Sequence, residues 1–333
     1  MMIPPDTAPQ FLAAIGWGGA DIRPLAGDAS FRRYFRVHLG DKVAVLMDAP
    51  PPHEDPRPFI AIANVLRERG FSAPEILGVD LDHGLVLLED FGDRLVRPVI
   101  DSAPTSETGI YEVACDLLGA LSAAPAPQDV APYDDAVMLR EVNLFPEYYA
   151  PATGLAVDVA AFEAAWRTCW AEVEAVALEE RTLVLRDYHA ENMILLDRPG
   201  LRQLGLLDFQ DALAGHRAYD LVSLLKDARR DVSPELEEAM LARYIAANAI
   251  ADEAMFRAHY AVLGAQRNTK ILGIFTRLWK RDGKPHYLSF QPRVWAYLER
   301  DLAHPALAPV KAWFDAHVPE ATRAAYWQEH VVA

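Results

Sequence analysis

The sequence predicts an α+β fold in which a small, mostly antiparallel sheet with one helix precedes a larger, mainly helical part. Three observations carry this expectation. Short apolar runs with strand periodicity fill the chain up to residue 89, and beyond Glu89-Asp90-Phe91-Gly92-Asp93 the apolar period lengthens from two to about 3.6. One strand-like insert, Leu183 to Leu207, then interrupts the helical region. Two lobes are expected, 1–89 and 90–333.

Phe31 to Leu39 and Lys42 to Met47 are β-rich runs separated by Gly40-Asp41, a hairpin-type turn. A Pro-rich break, Ala49 to Pro58, leads to Phe59 to Arg69, where Phe59, Ile62, Ala63 and Leu66 recur at helical spacing before Gly70. Glu75 to Val79 and Leu85 to Leu88 read as two further strands around the polar turn Asp80 to Gly84. In the helical part, Phe162, Trp166, Trp170 and Val173 line one helix face and are expected in the core. Ser233-Pro234 supplies an N-cap and an N1 proline for a helix to about Ala249, and another helix is expected from about Asp252 to Leu278. Within the insert, Met193 to Leu196 and Leu201 to Leu207 flank Asp197-Arg198-Pro199-Gly200, a strong turn signal. No internal repeat is present.

Composition limits the partners. The 333 residues are 52% apolar and 24% charged, an ordinary globular balance, but 48 acidic against 32 basic side chains leave a net charge of −16. Nucleic acid and anionic membrane surfaces would be repelled, so a bound phosphate needs a metal ion or a small local site. No obligate protein partner is evident. Cys115 and Cys169 lie in apolar helical patterns and read as buried free thiols. The N-terminal segment lacks the basic start and apolar run of an export signal, and no uncharged apolar stretch reaches membrane-spanning length. A cytoplasmic protein is expected.

The insert concentrates the polar residues that suggest chemistry. Asp187 and Asn192 precede its first strand, and Asp208 follows its second, so a tight hairpin brings the three together. Taken singly, each suits a turn or cap. Jointly, two carboxylates and an amide oxygen form a hard-oxygen set suited to Mg²⁺ with substrate phosphates, leaving one Asp to orient a hydroxyl nucleophile.

Leu185-Arg186-Asp187-Tyr188-His189-Ala190-Glu191-Asn192 and Asp208-Phe209-Gln210 resemble the catalytic loop and metal-binding segment of protein-kinase-like enzymes, most closely the aminoglycoside phosphotransferase family. Within it, Ala26 to Arg36, Leu46 to Pro51 and Arg267 to Leu278 resemble the bacterial cell-wall-recycling kinases that phosphorylate the anomeric C1 hydroxyl of N-acetylmuramate and N-acetylglucosamine. The resemblance implies a two-lobe kinase-like fold, with ATP and Mg²⁺ as cofactors and a small-molecule sugar as acceptor. Asp187 would be the catalytic base or hydroxyl-orienting group, with Asn192 and Asp208 as metal ligands. Gly27, Asp28, Ser30, Phe31, Arg32 and Arg33 would form the loop over the nucleotide phosphates. Leu88 to Phe91, with Glu89 and Phe91, would be the hinge facing adenine. Asp220 would anchor the catalytic loop, and His189 would brace it.

One departure is the third strand, Val43-Ala44-Val45-Leu46-Met47, which lacks the phosphate-binding lysine of typical kinases. Lys42 reads as a surface residue, and the helix after this strand offers Glu68 near its end without an obvious mid-helix partner. Arg32 or Arg33 could restore the charge, although only one can face the phosphates because neighbouring side chains in an extended segment alternate. For the acceptor, Glu147, Gln266, Arg267 and Lys270 are candidates beside Asp187; for the last three, a solvated helix face is the competing explanation. A kinase of an aminoglycoside, choline or homoserine-type compound is an alternative, since Glu141, Glu147 and Asp211 could serve a cationic acceptor. An inactive nucleotide-binding pseudokinase is another.

Overall fold

The computed structural model describes residues 3–25 and 32–325. Among these the strands run, in chain order, β1 (Asp21–Pro24), β2 (Arg33–Leu39), β3 (Lys42–Asp48), β4 (Ile76–Asp80), β5 (Leu85–Glu89), β6 (Thr182–Val184), β7 (Met193–Leu195), β8 (Leu204–Leu206) and β9 (Leu213–Gly215). The chain divides into two compact units, Met1–Pro104 with Glu191–Asp211, and Thr105–Ala190 with Ala212–Ala333.

The first unit is built on a five-stranded sheet of order β1-β2-β3-β5-β4, with every neighbouring pair antiparallel. The expected Gly40-Asp41 turn joins β2 to β3, pairing Leu39 with Lys42, and Gly40 takes the positive φ of 57° that this turn needs. Alternation divides the sheet into two faces. Phe35, Val37, Ala44, Leu46, Leu85 and Leu87 are buried with Phe11 and Leu12 of the helix Ala8–Ala14, each large side chain contributing about 1.5–3 kcal/mol. The other face carries Arg36, Val45 and Leu88 in one cross-strand row, since Arg36 pairs with Val45 and Val45 with Leu88. The helix Arg57–Glu68 buries Phe59, Ile62, Ala63 and Leu66, the four positions its periodicity singled out.

The hairpin β7–β8 belongs to this unit through backbone bonds. Leu195 N–H donates to the Arg94 carbonyl at 2.8 Å, and Leu206 N–H to the Ser72 carbonyl at 2.8 Å. The compact grouping differs from the division expected between residues 89 and 90: it joins 90–104 and 191–211 to the sheet's unit, these bonds linking the hairpin to Arg94 and to Ser72. The second hairpin strand is also shorter than expected, since Gly200–Gln203 form a 3₁₀ turn.

In the second unit β6 pairs antiparallel with β9 and helices supply most of the rest. Phe162, Trp166, Trp170 and Val173 are buried on the helix Val159–Glu180, and both cysteines are free and buried. Ser233 Oγ accepts the Leu236 N–H at 3.1 Å to cap the helix Pro234–Ala247. Asp252 caps the 28-residue helix Glu253–Lys280 through Met255 N–H at 2.9 Å. This helix overturns the solvated-face explanation for Gln266, Arg267 and Lys270, all of which are buried. Among the described residues no helix is long and apolar enough to cross a membrane.

Candidate active site

In the first unit, the β7–β8 hairpin brings two predicted metal ligands together. Asn192 immediately precedes β7 and Asp208 follows β8; Leu207 N–H bonds the Asn192 carbonyl at 3.0 Å, and the Asn192 amide lies 3.3 Å from Asp208 Oδ2. Asp208 adopts φ of +56°, a left-handed conformation that costs a non-glycine residue about 1–3 kcal/mol and is common where a side chain must be aimed. Gln210 Nε2 donates to Asp208 Oδ1 at 2.7 Å. A half-turn of the Asn192 amide presents its oxygen beside the Asp208 carboxylate, so this pair fits a hard divalent cation.

Both residues line a cavity of about 480 Å³ that also includes Glu89, Asp90 and Phe91. The expected hinge thus shares one cavity with the expected metal ligands. Arg198, from the hairpin turn, braces the segment expected to be the hinge: it donates to Glu89 and to Ser72 Oγ, the latter at 3.0 Å, and its guanidinium lies 5.3 Å from the Phe91 ring centre. Gly205 is required behind that ring, because a Cβ there would meet Phe91 ring carbons at 2.7 and 2.9 Å.

Arg36 is a cavity residue that the sequence reading missed. Its Nε lies 2.6 Å from Asp90 Oδ2, and it donates to both Asp93 oxygens, at 2.8 and 3.0 Å, fastening β2 to the segment after the hinge. The Asp93 carboxylate, with partial burial opposing and Asp90 adding to it, raises the Arg36 pKa. Its signal was parity: Tyr34 and Arg36 alternate with the buried Phe35 and Val37.

Of the six residues expected in the phosphate loop, Arg32 and Arg33 are among the described residues. Gly27, Asp28, Ser30 and Phe31 lie outside the described residues. Arg33, expected over the phosphates, shares the helix-covered face with Phe35 and donates to the buried Asp48 at 2.7 Å. Strand parity directs it away from the Arg36 face. Arg32 Nε lies 3.5 Å from Glu54 Oε2. Lys42 is exposed, as expected, and so is Glu68.

In the second unit, Asp187 follows a backbone turn held on several sides. Arg186 has φ of +71°. Asp220, on the helix Ala218–Leu225, accepts the N–H groups of Leu185 at 2.6 Å and Arg186 at 2.8 Å. Arg267 donates to the Arg186 carbonyl at 2.7 Å and to Asp187 Oδ1 at 3.2 Å. Burial disfavours the Asp187 charge, but Arg267, Lys270, His189 and Arg186 outweigh it and hold the carboxyl well below its usual range. Burial pushes Asp220 up to about 7 against its two N–H donors. His189 is buried, with its pKa lowered chiefly by burial, and its ring lies 3.2 Å from Arg229.

Gln266 and Lys270 converge on Glu141 rather than on solvent. Gln266 Nε2 donates to Glu141 at 3.1 Å and Lys270 Nζ at 2.8 Å, while Arg186 and Tyr133 also donate to it. Despite burial, Lys270 and Arg186 lower the Glu141 pKa to about 2. Glu141 is therefore an engaged carboxylate, in contrast to the exposed Glu147.

Comparisons with known proteins extend this picture. Residues 21–258 match the phosphotransferase enzyme family. A Caulobacter vibrioides protein named N-acetylmuramate/N-acetylglucosamine kinase is 42% identical, covering 94% of this chain and 96% of its own. A protein of the same name from Pseudomonas aeruginosa is 39% identical, covering 90% of each chain. The fold is similar to that of a choline/ethanolamine kinase family protein from Mesorhizobium loti, with a TM-score of 0.59 at 16% identity over 92% of this chain and 99% of the other. That likeness agrees with the kinase-like arrangement expected, a small antiparallel sheet ahead of a mainly helical remainder. On the family match and the full-length relatives together, the chain belongs to the phosphotransferase enzyme family.

Proposed function

We propose that the protein transfers the γ-phosphoryl group of ATP to the anomeric C1 hydroxyl of N-acetylmuramate and N-acetylglucosamine, in the cytoplasm and in the service of peptidoglycan recycling. The relative named N-acetylmuramate/N-acetylglucosamine kinase, 42% identical over 94% of the chain, carries the choice of acceptor. The cavity holding Asn192, Asp208 and the Glu89 to Phe91 hinge supports the choice of donor.

Asn192 and Asp208 would hold Mg²⁺, which when bound with the nucleotide neutralises phosphate charge. The hinge offers backbone groups to the base, and Phe91, braced by Arg198, offers an apolar wall. Asp187 would accept a hydrogen bond from the C1 hydroxyl. As the bond from O1 to the γ-phosphorus forms, the bond from that phosphorus to the β-phosphate oxygen breaks, ADP leaves, and the hydroxyl proton is released through Asp187. A carboxylate as acidic as this one is a weak base, so its main task is alignment of the hydroxyl; phosphoryl transfer through a loose transition state needs little more.

The test is to incubate the protein with ATP, Mg²⁺ and, separately, N-acetylmuramate, N-acetylglucosamine, glucose, choline and kanamycin, following ADP release and sugar 1-phosphate by ³¹P NMR. Formation of the 1-phosphate of an N-acetylated amino sugar is expected. Turnover confined to choline or kanamycin rejects the proposal, and nucleotide binding without any turnover would point to a pseudokinase.

A further inference from the structure

The residue before Asp187 is held at three points, two on its backbone and one on its side chain. The Arg186 N–H is held by Asp220, its carbonyl by Arg267 and its guanidinium by Glu141. The first two bonds act on the backbone where φ is +71°; the third reaches the same residue from a different element, the helix Asp135–Val142. Glu141 is 4% exposed and is met by Arg186, Lys270, Gln266 and Tyr133. A buried carboxylate with that many donors is held in one place and can serve as a fixed post. Arg267 joins the two ends of the arrangement, bonding both the Arg186 carbonyl and Asp187 itself.

We propose that Glu141 is a positioning residue for Asp187, fixing through the Arg186 side chain the left-handed turn from which Asp187 departs. Lys270 and Gln266 serve it by immobilising Glu141, so that these two acceptor candidates work one step removed from the acceptor. The inference rests on the role given to Asp187 above. It distinguishes Glu141 from a substrate contact, whose loss would raise the acceptor KM, and from a purely structural ion pair, whose loss would lower stability alone.

Glu141→Gln alone leaves Lys270 and Arg186 without their counter-charge, so the decisive variant is the double substitution Glu141→Gln with Lys270→Met, which removes a charge of each sign. Two measurements are made on the full-length protein. In steady-state kinetics, run at a temperature where the melting curve shows the variant fully folded, kcat is expected to fall by about 10- to 100-fold with KM for ATP and sugar within twofold. In hydrogen exchange followed by mass spectrometry, the amides of residues 185–190 are expected to exchange at least about tenfold faster than in the wild type. Wild-type kcat or unchanged exchange in this segment overturns the inference, and so does a loss confined to the sugar KM. If the wild-type protein turns over none of the acceptors, the proposed function fails, and the exchange measurement alone decides whether Glu141 orders the loop.

Discussion

Asp220 grips Arg186 by the backbone: one carboxylate oxygen accepts the Arg186 N–H at 2.8 Å while the other accepts that of Leu185 at 2.6 Å. The Asp187 loop is thereby anchored to the helix that carries Asp220. Asp220→Ala leaves two buried N–H groups without their acceptor, a penalty of about 1–3 kcal/mol each. A melting temperature several degrees lower and a reduced kcat are expected, checked by calorimetry and steady-state kinetics. A variant as stable and active as the wild type would show that the anchor is dispensable.

Asp187→Ala removes the carboxylate that the proposed function assigns to aligning the hydroxyl. Turnover should fall by roughly 10² to 10⁴, with nucleotide affinity unchanged in a calorimetric titration. Because Arg267 and its neighbours keep this carboxyl ionised, wild-type kcat should show no loss from its protonation anywhere near neutrality.

Asp208→Asn exchanges a carboxylate oxygen for a neutral amide in the expected cation pair. At saturating ATP, the Mg²⁺ concentration giving half-maximal rate should rise by at least about tenfold, measured by titrating the metal. An unchanged Mg²⁺ requirement would remove Asp208 from the ligand set.

Arg36→Ala breaks the tie between β2 and the segment bearing Asp90 and Asp93, leaving two carboxylates in the cavity without their shared cation. KM for ATP should rise by about tenfold while KM for the sugar stays constant. Parallel changes in both constants would refute a role confined to the nucleotide cavity.

Glu141 sets a pH dependence of stability. Its pKa in the folded chain, about 2, lies below the ordinary 4.5, so its ion pairs contribute fully above about pH 4.5 and are lost as the pH falls toward 2. Melting temperatures between pH 2 and 6 should therefore decline more steeply on the acid side for the wild type than for Glu141→Gln. Identical slopes would assign the acid sensitivity to other carboxylates.

Local rules made much of this site legible. Asn192 and Asp208 could be paired because a tight hairpin leaves few alternatives for its ends, and Phe59, Ile62, Ala63 and Leu66 because four apolar positions share one helical face. Arg36 was missed because its side of β2 becomes informative only once the helix Ala8–Ala14 is known to cover the other side. That helix is seven residues long, too short for its periodicity to stand out. Gln266, Arg267 and Lys270 are polar neighbours that locally suit water as well as protein. What satisfies the polar groups of two of them inside the protein is Glu141, more than a hundred residues earlier in the chain, and no local pattern records that pairing.

The arrangement of the hairpin bears on how the chain is made. The five-stranded sheet is complete by residue 89, yet Asn192 and Asp208 arrive only after about a hundred further residues, a delay of roughly 5–20 s at ribosomal speed. Until then the nascent sheet lacks one wall, and the Gly205 backbone that backs the Phe91 ring has yet to appear. A fragment ending at Pro104 would share this deficit permanently. The cavity that Asn192 and Asp208 line is a late product of synthesis, although most of the sheet that roofs it is made first.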